Sequence, residues 1–312
     1  MKKTILLVSC MFALMLLAFA APSFAEDEID ISAKGVVVMD ADTGQVLISR
    51  NMDLMLPPAS TTKVMTAMLA LGKADMTDTF KVSRRAAGMS PSRVNLRAGD
   101  EITEEALLYS VLLKSANDAS AALAEGIAGS ESLFASMMTE KAKELGALNT
   151  NFLNSSGLPE EGHYSTAYDM ALIFRAAMQD PRFMDIATTK FATLNMGRKE
   201  KMLLRNHNRL LWCYEGAGPG KTGYTIAARH CYVGEANCAN TRLIVAIMRS
   251  YDPWNDVRKL LDKGFELAMS GRTIALEDTN DQPVFKKASY TKRSRHHRKS
   301  RKARRHKRRR SY

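Results

Sequence analysis

The chain has 312 residues, of which 46% are hydrophobic, 25% charged and 7% aromatic, with 18 glycines and 9 prolines. Those fractions exclude wholesale disorder, a collagen-like repeat and a small disulfide scaffold, and the length accommodates one large domain or two ordinary ones. The net charge of +12 is concentrated at one end: residues 286–310 hold 15 Lys/Arg and no Asp/Glu. With those and Lys2 and Lys3 set aside, 28 basic residues face 33 acidic ones. The body is mildly acidic and the tail polycationic.

Met1-Lys2-Lys3 precedes an apolar run from Ile5 to Ala20, then Ala21-Pro22-Ser23-Phe24-Ala25 and the acidic Glu26-Asp27-Glu28. A basic start, an apolar centre and small residues at Ser23 and Ala25 predict a secretory signal cleaved after Ala25. Pro22 and the short span argue against an uncleaved anchor. A lipidated Cys10 would leave most of the apolar run unused. Cleavage leaves Cys213, Cys231 and Cys238. An odd number permits one bridge and a spare thiol or three buried thiols, and buried packing is the plainer expectation. Their spacing does not suggest zinc.

Gly35-Val36-Val37-Val38-Met39 and Gln45-Val46-Leu47-Ile48 flank Ala41-Asp42-Thr43-Gly44, a hairpin signal. Pro57-Pro58 ends the extended structure, and Ser60 to Leu71 predicts a helix apolar on nearly every side, hence buried. From Thr103, a capping residue, to Glu125 the chain predicts two helices broken near Ser115-Ala116-Asn117. Further helices are expected from Glu131 to Leu145 and from Asp169 to Met178, the latter ending before Pro181. The second half is strand-rich: Lys201 to Leu204, Thr222 to Thr225, Cys231 to Glu235 and Leu243 to Arg249. Asp256 to Met269 has helical apolar spacing. Strands at both ends with helices between predict an α+β domain whose sheet is closed by its two terminal regions.

Three polar motifs lie on this frame. In Ser60-Thr61-Thr62-Lys63, spacing i, i+3 puts hydroxyl and amine on one helical face. Ser60 occupies the first turn, where free N–H groups favour developing negative charge. Greasy neighbours Met65, Met68 and Leu69 would desolvate Lys63 and favour its neutral form, making a nucleophile–base pair. Alone the spacing is weak: a chain of this length contains about one Ser-x-x-Lys by chance, and Ser289-Tyr290-Thr291-Lys292 is such a decoy. Ser115-Ala116-Asn117 can aim a hydroxyl and an amide into one cleft, although Asn117 or Asp118 as a helix N-cap explains it equally well. Lys221-Thr222-Gly223 enters a strand after the turn-rich Gly216-Ala217-Gly218-Pro219-Gly220, and could let a carboxylate approach the strand edge. An edge-strand lysine that discourages aggregation is the plainer account.

Together and in this order, the three motifs mark penicillin-recognising serine enzymes. The stretches Pro58 to Ala67, Leu112 to Ala119, His163 to Met170, Asn206 to Leu211 and Lys221 to Thr225 closely resemble the D-alanyl-D-alanine carboxypeptidases, the low-molecular-mass penicillin-binding proteins. The resemblance covers roughly residues 30–272. It implies a DD-peptidase/serine β-lactamase-like fold, an antiparallel sheet flanked by helices with an all-helical subregion. It also implies a serine carboxypeptidase that removes the terminal D-alanine from peptidoglycan stem pentapeptides without a cofactor or metal. By that resemblance Ser60 is the nucleophile acylated by substrate or β-lactam, Lys63 the general base and Ser115 a proton relay. Asn117 would hold the substrate amide, and Lys221, Thr222 and Gly223 would receive the terminal carboxylate. Backbone N–H groups of Ser60 and Tyr224 would form the oxyanion hole.

Two departures stand out. Family members often carry histidine where Tyr224 stands, and many follow the catalytic domain with a β-rich domain and an amphipathic membrane helix, whereas about 40 residues follow Ser270 here. The expected organisation is a signal peptide at 1–25, a catalytic domain at 26–272 and a disordered polybasic tail at 273–312. The tail lacks an apolar face; its expected partners are anionic envelope polymers or lipid headgroups, with no specific nucleic acid. The expected location is the periplasm or the extracytoplasmic envelope, with peripheral membrane association. A β-lactamase is the nearest rival, but Glu144-Leu145-Gly146-Ala147-Leu148-Asn149 spaces its glutamate and asparagine one residue too far apart. Endopeptidase or transpeptidase chemistry would use the same nucleophile. A noncatalytic envelope-binding protein would act through the tail, and His163, His207 and His230 are too scattered for a zinc carboxypeptidase.

Overall fold

In the computed structural model, which describes residues 29–197 and 201–277, the predicted hairpin opens the fold. Strands β1 (Gly35–Asp40) and β2 (Val46–Arg50) pair antiparallel. Asp40 builds the turn: its carboxylate accepts the N–H groups of Asp42 at 3.0 Å and Thr43 at 2.7 Å. The chain then makes one 3₁₀ turn (Ala59–Thr62) and helix α1 (Lys63–Leu71). A small ribbon of β3 (Thr79–Lys81) and β4 (Glu101–Thr103) brackets the short α2 (Arg84–Ala87). Three helices follow, α3 (Glu104–Lys114), α4 (Asn117–Ala128) and α5 (Glu131–Glu144). The first and third start on side-chain caps, Thr103 Oγ1 accepting from Ala106 N and Ser130 Oγ from Leu133 N, whereas α4 starts after Ala116 without one.

Helices α6 (Ala167–Ala177) and α7 (Pro181–Thr188) come next. The second of these was not expected from the sequence. Asp180 caps it by accepting the Arg182 N–H at 2.9 Å, and Pro181 occupies the first position, where its missing donor costs nothing. Strand β5 (Phe191–Asn195) pairs with β6 (Lys201–Arg205) in a separate two-stranded ribbon. A short α8 (Leu210–Cys213) leads to β7 (Ala217–Thr225), β8 (Arg229–Cys238) and β9 (Thr241–Ser250), then α9 (Pro253–Ser270) and β10 (Ile274–Ala275).

The main sheet runs β10-β2-β1-β9-β8-β7, antiparallel throughout except for the parallel β10–β2 edge. The first strand, β1, therefore meets β9 from the far end of the domain at the sheet's centre, and β10 adds to its edge, so the two terminal regions close one sheet as the α+β reading predicted. Val36 and Val38 of β1 join Val245 and Ile247 of β9 in a core sealed by Val257, Leu260, Leu261 and Leu267 of α9. Helix α6 packs on β1 and β9, and Val37 and Ala246 are fully buried too. Burial of both faces explains why β1 is a continuous apolar run rather than an alternating one. Helix α1 threads the helical half of the fold, against α3, α4, α5, α6 and α7; Val64, Met65, Ala67 and Ala70 have no exposure.

Two expectations are corrected. The segment read as turn-rich, Gly216 to Gly220, largely belongs to β7, whose register against β8 shifts between Ala217 and Gly220. A bulge, not a turn, uses those glycines and the proline. Of the three cysteines only Cys231 is buried, its thiol pushed up to about 12 by burial; Cys213 and Cys238 are exposed, and all three are free. The expected signal at 1–25 and the basic tail from residue 286 lie outside the described residues, and β10 carries the described sheet slightly past residue 272.

Glu104 opens α3 with no exposure, and neither carboxylate oxygen has a hydrogen-bond partner. Burial pushes its carboxyl from 4.5 up to about 7; the charge of Arg182 opposes that shift and Asp78 and Asp75 add to it. A carboxyl with a raised folded pKa withdraws stability as pH climbs from its unfolded value through the folded one. Glu104→Gln is therefore expected to stabilise the protein by about 1–3 kcal/mol at pH 8 and by much less at pH 5. Equal denaturation midpoints for parent and variant at pH 8 would contradict this.

Candidate active site

The turn Ala59–Thr62 is held in an uncommon shape, with Ala59 at φ +49°. Two glycines make room for it. A Cβ at Gly157, itself at φ +77°, would stand 1.8 Å from the Ala59 carbonyl oxygen, and one at Gly223 of β7 would stand 2.8 Å from Ser60 N. Strand β7 thus lies against the backbone N–H face of the turn. Ser60 is half-buried at the mouth, with Lys63 fully buried beneath it.

Lys63 Nζ donates to Ser60 Oγ at 3.0 Å, to Asn117 Oδ1 at 2.7 Å and to the Ser156 carbonyl at 2.6 Å. Burial first, and then the charge of Lys221, hold the amine well below the ordinary lysine range; Glu131 and Asp118 act in the opposite direction. Asn117 Nδ2 is anchored on the Ser90 carbonyl at 2.9 Å. Asp118 fixes the segment beyond Ser90 by accepting the N–H groups of Val94 at 3.2 Å and Leu96 at 3.0 Å.

Ser115 ends α3 in the left-handed conformation, φ +58°, and breaks the chain between α3 and α4. Its hydroxyl accepts from Lys221 Nζ at 3.0 Å, and Lys221 also donates to the Thr222 carbonyl at 2.9 Å. Lys221 is 1% exposed, so it is not a solvated edge-strand charge, and burial pushes it down to about 7. Thr222 is half-buried and Gly223 buried. The Tyr224 residue is 53% exposed and its ring tilts over His230 at 4.7 Å. The structure brings Ser60, Lys63 and Asn117 together, and likewise Ser115, Lys221 and Thr222, with Gly223 against Ser60; Tyr224 follows them along β7.

Sequence reasoning missed the loop that carries Ser156. Asn154 Oδ1 accepts the N–H groups of Gly157 at 2.8 Å, Leu158 at 3.1 Å and Ser156 at 3.3 Å. An Asn-x-x-Gly turn was legible at 154–157, but nothing in it announces that one of its carbonyls faces a lysine. His163 pins the same loop to the nucleophile turn: Nδ1 accepts from Leu153 N at 3.1 Å, which leaves Nε2–H to donate to Thr62 Oγ1 at 3.1 Å. Burial pushes this imidazole down to about 4, so it is neutral near pH 7 and serves as a structural tie. Glu144, the glutamate of the β-lactamase rival, pairs with Lys141 on the surface, its side chain 58% exposed. Among the described residues no three His, Cys, Asp or Glu side chains gather in a way that could hold a metal ion.

A hydroxyl on a buried amine, a second hydroxyl on a second buried amine, and a strand edge facing backbone N–H groups together form the layout of a serine acyl-transfer centre. The D-alanyl-D-alanine carboxypeptidase family matches residues 22–251, and the chain belongs to that family. It is 39% identical over 274 residues to D-alanyl-D-alanine carboxypeptidase DacF of Bacillus subtilis, spanning 83% of this chain and 70% of that protein. With DacB2 of Mycobacterium tuberculosis it shares 37% identity over 246 residues, 76% of this chain and 84% of the relative. The crystal structure of a D-alanyl-D-alanine carboxypeptidase from Mycobacterium tuberculosis superposes with a TM-score of 0.75 at 36% identity, covering 79% of this chain and 96% of that one. A Streptomyces DD-transpeptidase superposes at 0.72 with 28% identity, covering 77% and 100%. The protein is accordingly a serine-type peptidase with a DD-peptidase fold.

Proposed function

We propose that the chain removes the terminal D-alanine from peptidoglycan stem pentapeptides through an acyl-enzyme on Ser60. The observation that carries this reading is the 3.0 Å contact between Ser60 Oγ and a Lys63 amine with no exposure. In this scheme neutral Lys63 takes the Ser60 proton as Oγ attacks the carbonyl between the two D-alanines. The developing oxyanion is received by the backbone N–H groups of Ser60 and Tyr224, each donor worth roughly 10²–10³ in rate. Ser115, backed by Lys221, gives its hydroxyl proton to the leaving amine and takes one from the Lys63 ammonium, which leaves Lys63 neutral again for deacylation. Lys221, Thr222 and the open edge at Gly223 grip the terminal carboxylate, whose negative charge restores the ammonium form of Lys221. Asn117 Oδ1, besides holding Lys63, has a second lone pair for a substrate N–H. Water then releases the shortened peptide, and β-lactams, which imitate the dipeptide, stop at the acyl stage.

The proposed organisation is a signal at 1–25, a catalytic domain from residue 26 through β10 and a polybasic tail beyond it, with the mature protein outside the cytoplasmic membrane. No helix among the described residues is long and apolar enough to cross a membrane. The decisive test incubates the mature protein with a D-Ala-D-Ala pentapeptide and follows the mass of the peptide and the site of labelling by fluorescent penicillin. Loss of one alanine and a label on Ser60, both abolished in Ser60→Ala, are expected. Label elsewhere, or none, would end this reading, and rapid nitrocefin turnover would move it to a β-lactamase.

We further propose that the 15 basic residues of 286–310 bind anionic envelope polymers or headgroups, at about 1 kcal/mol per residue near a charged surface. Deleting residues 286–312 is expected to release the protein from envelopes at low salt without changing peptide hydrolysis. Unchanged association would eliminate the idea.

A further inference from the structure

The Ser156 carbonyl that receives Lys63 does not hold its own position. Its neighbour Ser155 donates both its backbone N–H, at 3.0 Å, and its hydroxyl, at 2.6 Å, to one oxygen of Glu131. The other carboxylate oxygen of Glu131 is taken by the Arg85 guanidinium, which also reaches Glu125 at 3.1 Å. Glu131 is 5% exposed in the first turn of α5. It is not needed to start that helix, because Ser130 already caps it. A buried carboxylate is costly unless something requires it, and neither the three motifs nor the helix does.

We propose that Glu131 is a positioning residue for the base: through Ser155 it fixes the Ser156 carbonyl against Lys63, and its charge supports the ammonium that Lys63 becomes after taking the Ser60 proton. The proposal rests on the reading of Lys63 as base. The charged groups around the amine are Lys221 from β7, Asp118 from α4 and Glu131 from α5. Around Glu131 they are Arg85 from α2, Glu125 at the end of α4, which shares Arg85, and the neutral His163. Burial raises the Glu131 carboxyl, but the hydrogen bonds from Ser155 and Arg85 outweigh it and hold the group below the usual range, so it is ionised at neutral pH. Glu131 favours the charged form of Lys63. Neutralising the carboxylate therefore lets Lys63 shed its proton at lower pH.

The test measures acylation by fluorescent penicillin against pH for the mature protein, Glu131→Gln and Glu131→Ala, with thermal unfolding of each and Ser60→Ala as reference. The glutamine carbonyl still accepts from Ser155, so Glu131→Gln is expected to keep the plateau rate within about 10-fold and to move the acid limb to lower pH. Glu131→Ala frees the loop as well, and its plateau is expected to fall roughly 10–100-fold. Folded variants with the parent's rate and acid limb would overturn the proposal. So would a plateau loss accompanied by a lowered Tm and an unmoved acid limb, the mark of a merely structural residue. A label that persists in Ser60→Ala would instead overturn the nucleophile assignment on which the proposal stands.

Discussion

Lys63→Arg is expected to lower β-lactam acylation and D-alanine release by roughly 10²–10⁴-fold, the contribution of a positioned general base. Lys63 Nζ fits between Ser60 Oγ, Asn117 Oδ1 and the Ser156 carbonyl at 3.0, 2.7 and 2.6 Å. Arginine could keep the charge and some of those contacts, but a guanidinium stays protonated throughout the accessible pH range and cannot accept the serine proton. The pH dependence separates the two roles. The parent rate rises with pH as Lys63, held below its ordinary range by burial and by Lys221, loses its proton. The arginine variant should show no such limb. Lys63→Met, neutral and of similar length, controls for folding and should be equally inactive. An arginine variant retaining a tenth of the parent rate would show that the base lies elsewhere.

The second large effect comes from a residue with no side chain. Gly157→Ala is expected to cost roughly 2–5 kcal/mol of stability, from a left-handed backbone and an overpacked contact, and to abolish acylation of whatever fraction folds. The added Cβ would meet the Ala59 carbonyl oxygen at 1.8 Å and Thr62 Oγ1 at 2.8 Å. Both neighbours belong to the nucleophile turn, and backbone cannot yield as the end of a flexible side chain can. Gly99→Ala serves as the internal comparison. Its φ of +92° is as unfavourable, but nothing lies within 4 Å of the new atom, so only the backbone penalty of about 1–2 kcal/mol remains. Similar Tm losses for the two variants would show that the close approach at Gly157 does not matter.

Local chemistry made much of this architecture legible in advance. The hairpin turn at Ala41 to Gly44, the cap at Thr103 and the break at Ser115 each depend on residue types acting within a few positions of themselves. The candidate site residues were legible because each motif combines a reactive group with its local backbone context. What escaped depended on distant neighbours or on an ambiguous local signal. Gly218, Pro219 and Gly220 have the composition of a turn, and only pairing with β8 makes them a bulged strand. Helix α7 opens on Asp180-Pro181, which reads equally well as the end of α6 and the start of a new helix. Ser156 contributes a carbonyl, which every residue possesses, and Glu131 acts through a serine in a loop 24 residues away. The exposure of Cys213 and Cys238 follows from where α8 and the β8–β9 hairpin end, which composition does not encode.

The pairing of β1 with β9 sets the schedule on which the protein can become active. Gly35 lies opposite Met248 and Asp40 opposite Leu243, so the central ladder joins segments some two hundred residues apart. Closing so long a loop is entropically slow, whereas the helices between can form from near neighbours. At 5–20 residues per second, synthesis of the intervening chain takes roughly 10–40 s. Throughout that interval the Val36-Val37-Val38 strand has no partner on its β9 side and remains a sticky edge. The two halves of the reaction centre lie within the same gap, Ser60 and Lys63 near its start and Lys221 to Tyr224 near its end. Penicillin reactivity is therefore among the last properties a newborn chain acquires, and its appearance marks the completion of folding.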